Sequence, residues 1–163
     1  MTTQNQIKSI KTGYVITLLA VFLFSLKDAV RGFYDGYSDT GKGTSFEFLQ
    51  GLVIFVIMFL GLRVLVYLYR FIDSVQIGNV FSEENVSRLK RMGWYCTTIP
   101  FLLFVFNASI YIQRTSDKMN LMLKIIENVD FQIWLLIFGL TLLTIAFVFK
   151  KGIELKLEQD LTI

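Results

Sequence analysis

The residue types that most often perform chemistry in proteins are scarce in this sequence. It has no histidine, the commonest general base and a frequent metal ligand. Its single cysteine, Cys96, can form neither an intramolecular disulfide nor a cysteine-based metal site, and it lies within an apolar run. We therefore expect no enzyme activity, no catalytic residue, no metal site and no cofactor, and we interpret Cys96 as a buried apolar side chain.

Two polar residues within long apolar runs are the remaining candidates for chemistry at membrane depth. Arg63 is the basic residue inside the second run, and Asn107 lies in the third. Ionisable groups inside a membrane are functional candidates by default, so an ion path is one interpretation. In the other interpretation, Arg63 extends its guanidinium to the lipid headgroups and Asn107 hydrogen-bonds a neighbouring helix. The sequence leaves both interpretations open.

Long apolar runs define the class of protein. Hydrophobic residues make up 54% of the chain, and the charged residues, 18%, lie mostly between the runs. Four runs meet or approach the roughly 20 residues that cross a bilayer as a helix. They cover residues 10–30, 46–69, 93–112 and 131–149 approximately. We predict an all-α integral membrane protein: an antiparallel four-helix transmembrane bundle with cytoplasmic helix extensions, forming one membrane domain over 1–163.

The distribution of Lys and Arg predicts the orientation of these spans. Basic residues are more numerous in the N-terminal tail, in 70–92 and in 150–163 than in the segments on the other side, 31–45 and 113–130. Because basic residues next to spans are retained in the cytosol, both termini are predicted to be cytoplasmic, in a multi-pass protein of the bacterial inner membrane. A net charge of +3 is too small to suggest direct binding of nucleic acid.

The two predicted outer segments differ in character. Glycines among polar, turn-forming residues predict a flexible connection in the first of them, between 32 and 43. In the second, Met119, Met122, Ile126 and Val129 fall at helical spacing and predict an amphipathic helix. This helix would lie on the outer membrane surface or pack across the end of the bundle.

The predicted cytoplasmic segments, loop 70–92 and tail 150–163, carry the most information. Ser82 is a good N-cap, so one helix should run from it into the third span, after a short turn region at 73–80. The fourth span should also continue into the cytosol, where Ile153, Leu157 and Leu161 form an apolar stripe. Such a stripe needs cover, which the loop or a second protein could provide.

We interpret these two helix extensions as a platform for a partner protein. The candidate partner-binding residues are Phe81, Glu84, Asn85, Arg88, Leu89, Glu154, Leu157, Glu158, Asp160, Leu161 and Ile163.

Three segments give the chain a resemblance to a known family. They are Asn79 to Asn85, Arg88 to Trp94, and the end of the chain from Lys151. In this combination the sequence resembles a bacterial domain-of-unknown-function family of small four-span membrane proteins, over nearly its whole length. Members are typically encoded beside a Cro/CI-type helix-turn-helix regulator, which the resemblance implies as a partner. The family has no assigned catalytic residues, and the polar residue that often precedes its basic pair is missing from 146–149 here.

Two hypotheses about function follow from these observations. In the first, the chain is a regulatory or signalling membrane protein that binds a cytosolic protein, such as the helix-turn-helix regulator, and holds it away from DNA. In the second, it is a small transport or stress and immunity component, acting as a homo-oligomer that moves or excludes an ion or an amphiphile. The lipid bilayer is a partner in both.

Overall fold

The structure is a computed structural model that describes residues 3–38, 45–115 and 121–160. The described chain is helical, with elements α1 (Thr3–Ser38), α2 (Ser45–Gln76), α3 (Glu83–Arg114), α4 (Leu121–Asn128) and α5 (Ile133–Asp160). Its four long helices each contain a segment long and apolar enough to cross a membrane. Those segments are Asn5–Leu23, Leu49–Gln76, Glu83–Gln113 and Ile133–Gln159. The prediction of an all-α protein with four transmembrane helices is confirmed.

Several helices are longer than the sequence predicted. α1 continues to Ser38, so the glycines at 32 and 36 lie within a helix, whereas a flexible connection was predicted there. α2 continues to Gln76, which shortens the predicted 73–80 turn to residues 77–82. Near a bilayer, a helix satisfies its own backbone groups, and this outweighs the roughly 1 kcal/mol that a helical glycine costs. Residues 39–44 lie outside the described part of the chain.

Three other predictions about helix limits are confirmed. The Ser82 hydroxyl accepts a hydrogen bond from the backbone N–H of Asn85 at 3.2 Å and caps α3, which runs unbroken into the third span. α5 likewise continues past the basic pair at 150–151. The amphipathic helix exists as α4, in which Met122 and Ile126 are 83% and 71% exposed. Met119 lies outside the described residues.

The four long helices do not close into a ring, because α1 and α5 make no contact in the described part of the chain. α3 packs most extensively on α5 and then on α2, whereas α1 contacts only α2 in the described part of the chain. The buried cluster Tyr67, Leu89, Met92 and Ala146 joins α2, α3 and α5. It lies towards the end of the bundle that carries the start of α1, the turn 77–82 and the last turns of α5, hereafter the N/C end.

Two polar contacts attach α1 to α2. Lys11 forms an ion pair with Asp73, close to the C-terminal end of α2. The Tyr14 hydroxyl donates to the carbonyl oxygen of Leu65 at 2.9 Å. These contacts place the N-terminal part of α1 beside the turn 77–82.

Glycines allow α3 and α5 to approach closely. A Cβ added to Gly139 would lie 2.7 Å from the backbone nitrogen of Thr97 and 2.9 Å from the carbonyl oxygen of Gly93. A Cβ added to Gly93 would lie 2.7 Å from the Leu143 side chain. Small residues commonly serve this purpose at helix crossings in membranes, where van der Waals packing is a main source of association.

We predict that Gly139→Ala destabilises the protein by about 1–3 kcal/mol, because the new methyl group would overlap backbone atoms that cannot move aside. Thermal unfolding of the purified protein in mild detergent measures this effect. Gly61→Ala is the matched control, since open space surrounds Gly61, and it should be neutral or stabilising. Equal unfolding temperatures for the two variants would contradict the close crossing.

Candidate partner-binding surface

The turn between α2 and α3 is organised around the side chain of Asn85, which is 0% exposed. Its amide nitrogen donates to the carbonyl oxygens of Asn79 at 2.7 Å and Val80 at 3.0 Å, and to the Ser74 hydroxyl at 3.1 Å. Two N–H groups therefore face three acceptors, which saturates the donor capacity of this amide. A buried amide with such a set of bonds fixes the path of the chain from Asn79 to Asn85.

Backbone geometry completes the turn. Gly78 has φ of +88°, a left-handed conformation in which a side chain would be strained. The N–H of Asn79 returns to the carbonyl oxygen of Ser74 at 3.0 Å, and the Ser74 hydroxyl donates to the Asn79 carbonyl oxygen at 3.0 Å. The end of α2 is thus closed by hydrogen bonds on both backbone and side-chain atoms.

Arg88 connects this buried network to the surface. One of its guanidinium nitrogens donates to Oδ1 of Asn85 at 2.9 Å and to the carbonyl oxygen of Arg70 at 3.3 Å. The other donates to the Glu84 carboxylate at 2.6 Å, one helical turn away. The exposed carboxylate of Glu84 is therefore held in position through Arg88 and ultimately through Asn85.

Phe81 fixes the turn against α5. Its ring centroid lies 5.1 Å from that of Phe149, which in turn lies 6.1 Å from Phe71 of α2. The ring also covers Gly152, where an added Cβ would be 3.4 Å from it. Even so, Phe81 remains 58% exposed, and the neighbouring Ile77 is 78% exposed. The turn is therefore fixed by contacts with α5 and still exposes apolar side chains to its surroundings.

A polar cleft lies beside Ile77. It has a volume of about 380 Å³ and is lined by Arg70, Asp73, Ser74, Ile77, Asn79, Glu84 and Arg88. Both signs of charge are present in its walls, so it suits a polar protein segment better than a simple ion. No group of three or more His, Cys, Asp or Glu side chains that could hold a metal occurs in the described ranges.

The tail contributes the last turns of α5. Glu154 accepts a bond from Lys151 at 2.6 Å and lies 3.9 Å from Lys150, so it is engaged within its own helix. Of the predicted apolar stripe, Leu157 is 58% exposed and Ile153 is half-buried. Leu155, which is not part of that stripe, is 59% exposed. Glu158 is exposed and Asp160 ends the helix, whereas Leu161 and Ile163 lie outside the described residues.

The structure therefore brings together part of the predicted platform. Glu84 and Arg88 line one cleft beside α2, whereas Phe81 packs on α5 at the beginning of the tail. Asn85 and Leu89 are buried, Leu89 to 3% exposure, so these two can act only by positioning their neighbours.

The two intramembrane candidates lie apart. The guanidinium of Arg63 stands over the rings of Phe59 at 5.4 Å and Tyr67 at 5.8 Å. Asn107 lines a separate cleft of about 300 Å³ with residues of α4 and the segment after it. Ser109, two residues after Asn107, accepts a hydrogen bond from Gln50 of α2 at 3.0 Å. Asn107 therefore lies at about the level of Gln50 along α2. From that level, Arg63 is roughly 20 Å further along α2.

The predicted turn region at 73–80 includes Ser74 and Gly78, but the sequence did not predict the hydrogen bonds of Ser74 or the positive φ of Gly78. The dipeptide Gly78-Asn79 is a typical turn signal and lies within that predicted region. The sequence also did not predict the contact of Tyr67 with Arg91 or that of Gly93 with Gly139, because each joins two different helices. A search for small residues between spans, not only within one span, would have found the glycines.

The fold and this surface define a multi-pass helical membrane protein with a structured connection between its second and third spans. The family described as "Protein of unknown function (DUF2975)" matches residues 39–163. The chain belongs to this family, and the match begins after α1, the helix that packs least on the others. No match was found among curated proteins or among solved structures.

We predict that Asn85→Ala destabilises the protein by about 1–3 kcal/mol, because buried carbonyl groups would lose their donor. Asn85→Asp should be at least as harmful, since it retains the acceptor for Arg88 but removes both N–H groups. Thermal unfolding in detergent, with limited proteolysis at 77–82, measures both effects.

The control for this prediction is Asn128→Ala. Asn128 is exposed on α4 and donates only within its own helix, to the carbonyl oxygen of Lys124 at 2.8 Å. A change below about 0.5 kcal/mol is expected for it. If Asn85→Asp were as stable as the parent protein, the donor role of Asn85 would be refuted.

Proposed function

We propose that this chain is a regulatory membrane protein whose N/C end binds a cytosolic protein. The observation that carries the proposal is the buried Asn85 amide, which holds a turn in place while Ile77 and Phe81 stay exposed on it. A preorganised turn loses little conformational entropy on binding, so its exposed side chains can contribute their full contact energy. Exposed apolar residues on such a turn are typical of a protein-binding surface.

The charges around the turn support a protein as the occupant. Glu84 and Asp73 stand beside Arg70 and Arg88 in the same cleft, and Arg88 fixes the Glu84 carboxylate. Fixed charges of both signs give specificity for one partner over others. Leu155 and Leu157, in the last turns of α5 at the same end of the bundle, are exposed as well.

A small helix-turn-helix regulator is the partner that we propose. The family resemblance supports this choice, because such regulators are expected beside members of the family. Held at the N/C end, the regulator would be confined to the membrane and withdrawn from DNA. The proposal requires the N/C end to face the cytosol, which the basic residues around it favour.

We expect affinity capture of the tagged full-length chain in mild detergent to retain the helix-turn-helix regulator encoded beside it. Ile77→Ser should weaken retention, because it removes an exposed apolar side chain from the binding surface. The change should leave the fold intact, since Ile77 is 78% exposed. Truncation to 1–151 should weaken retention further. Quantitative mass spectrometry of the captured material measures both effects.

Met122→Ser is the matched control for the capture experiment. Met122 is as exposed as Ile77, at 83% against 78%, but it lies on α4 at the other end of the bundle. Equal retention of the regulator by the parent, the truncation and Ile77→Ser would count against the proposed surface. Absence of the regulator from every sample would count against the proposed partner.

The orientation has a separate test. A green fluorescent protein joined to the C-terminus should fluoresce, and alkaline phosphatase joined there should be inactive, because the first matures in the cytosol and the second outside it. Phosphatase inserted between residues 116 and 120 should be active. The reverse pattern would place the N/C end outside the cell and exclude a cytosolic partner.

A further inference from the structure

Arginine side chains gather on one side of the α2–α3 pair near the N/C end. The guanidinium carbons of Arg63 and Arg91 lie 5.8 and 5.7 Å from the centroid of the same ring, that of Tyr67. Arg91 also donates to the Tyr67 hydroxyl at 3.0 Å. Arg70, one turn after Tyr67 on α2, borders with Arg91 a cleft of about 320 Å³.

The charge in this arginine cleft is not balanced by acids. Its walls are formed by Tyr67, Arg70, Glu84, Ser87, Arg88 and Arg91. Glu84, the carboxylate among them, is engaged by Arg88 at 2.6 Å. Among the described residues, the ion pairs leave Arg63, Arg70 and Arg91 without a carboxylate partner. Arg63 and Arg91 are positioned by an aromatic ring instead, so their charge remains available to a bound anion.

An apolar groove adjoins the arginine cleft. Arg70 lines both, and the groove, of about 540 Å³, runs between α1 and α2 where these helices pack loosely. Its other walls are Val15, Leu18, Leu19, Phe22, Leu62, Leu65, Val66 and Tyr69. A cationic cleft that shares Arg70 with an apolar groove matches a molecule with an anionic head and a hydrocarbon chain.

We propose that this face binds an anionic phospholipid, with its phosphate held by Arg70 and Arg91 and an acyl chain in the α1–α2 groove. Guanidinium groups bind phosphate oxygens in pairs of parallel hydrogen bonds, which favours arginine for this task. The position is suitable, because basic clefts between helix ends at the membrane surface bind anionic headgroups. Arg63, deeper on α2, adds positive charge over Tyr67. The proposal does not depend on the partner protein.

The test uses the full-length protein in mild detergent, with phosphatidylglycerol or phosphatidylcholine added and retained lipid counted by native mass spectrometry. Phosphatidylglycerol should be retained in preference to phosphatidylcholine. Arg70→Gln and Arg91→Gln should each weaken its retention about fivefold, the effect of one basic residue near a membrane surface. Lys90→Gln, at an exposed position next to Arg91 in sequence, should have little effect.

Two further variants keep the test independent of folding. Arg91→Lys should restore part of the retention, because it keeps the charge without the paired hydrogen bonds. Leu19→Trp should reduce retention by filling the groove from α1, with every arginine unchanged. Equal retention of both lipids, unaffected by Arg91→Gln and Leu19→Trp, would overturn the proposal.

Soluble glycerol 3-phosphate distinguishes the two sources of a phosphate group. If it fails to displace phosphatidylglycerol at equal concentration, the acyl chain contributes and the ligand is a lipid, as proposed. If it displaces the lipid fully, and Leu19→Trp has no effect, the cleft binds free phosphate compounds and the lipid proposal is wrong.

Discussion

The close approach of α3 and α5 at Gly93 and Gly139 is the constraint on which the rest of the structure depends. In a bilayer the lipid tails are as apolar as the helices, so burial of apolar surface drives their association only weakly. Association of the helices therefore depends on close van der Waals contact between their backbones. Gly93 and Gly139 permit this contact because they have no Cβ atom. Once α5 is fixed against α3, its C-terminal turns carry Phe149 and Gly152 to the turn 77–82, where Phe81 packs on both.

The turn itself is fixed by a second, polar constraint. Asn85 is buried among the end of α2, the turn 77–82 and the start of α3, and burial makes each of its hydrogen bonds costly to lose. This explains how a short connection can be well defined without covering its own apolar side chains. Phe81 is held on one side by α5 and is free on the other, and Ile77 has no cover of this kind.

The sequence predicted the parts of the fold that depend on local pattern. Apolar length identified the four spans, and Ser82 identified the start of α3, because a cap acts within a few residues of itself. Contacts between helices could not be predicted from the sequence, because neither the contact of Tyr67 with Arg91 nor the glycine crossing has a local signal. The same reason applies to Leu89 and Asn85, which were assigned to an exposed surface from their neighbours in sequence but are buried by other helices.

Charge at the N/C end can serve more than one purpose, and the contacts separate these purposes. Lys11 is engaged by Asp73, and Arg88 by Glu84, so these two basic residues stabilise α1 and the turn. Arg63 and Arg91 are held by the Tyr67 ring, which leaves their charge uncompensated. A basic residue that only orients a span needs no fixed position, because orientation depends on the number of charges near the span. Guanidinium groups held by an aromatic ring do have a fixed position. Orientation of a span does not require that position, whereas binding of an anion does.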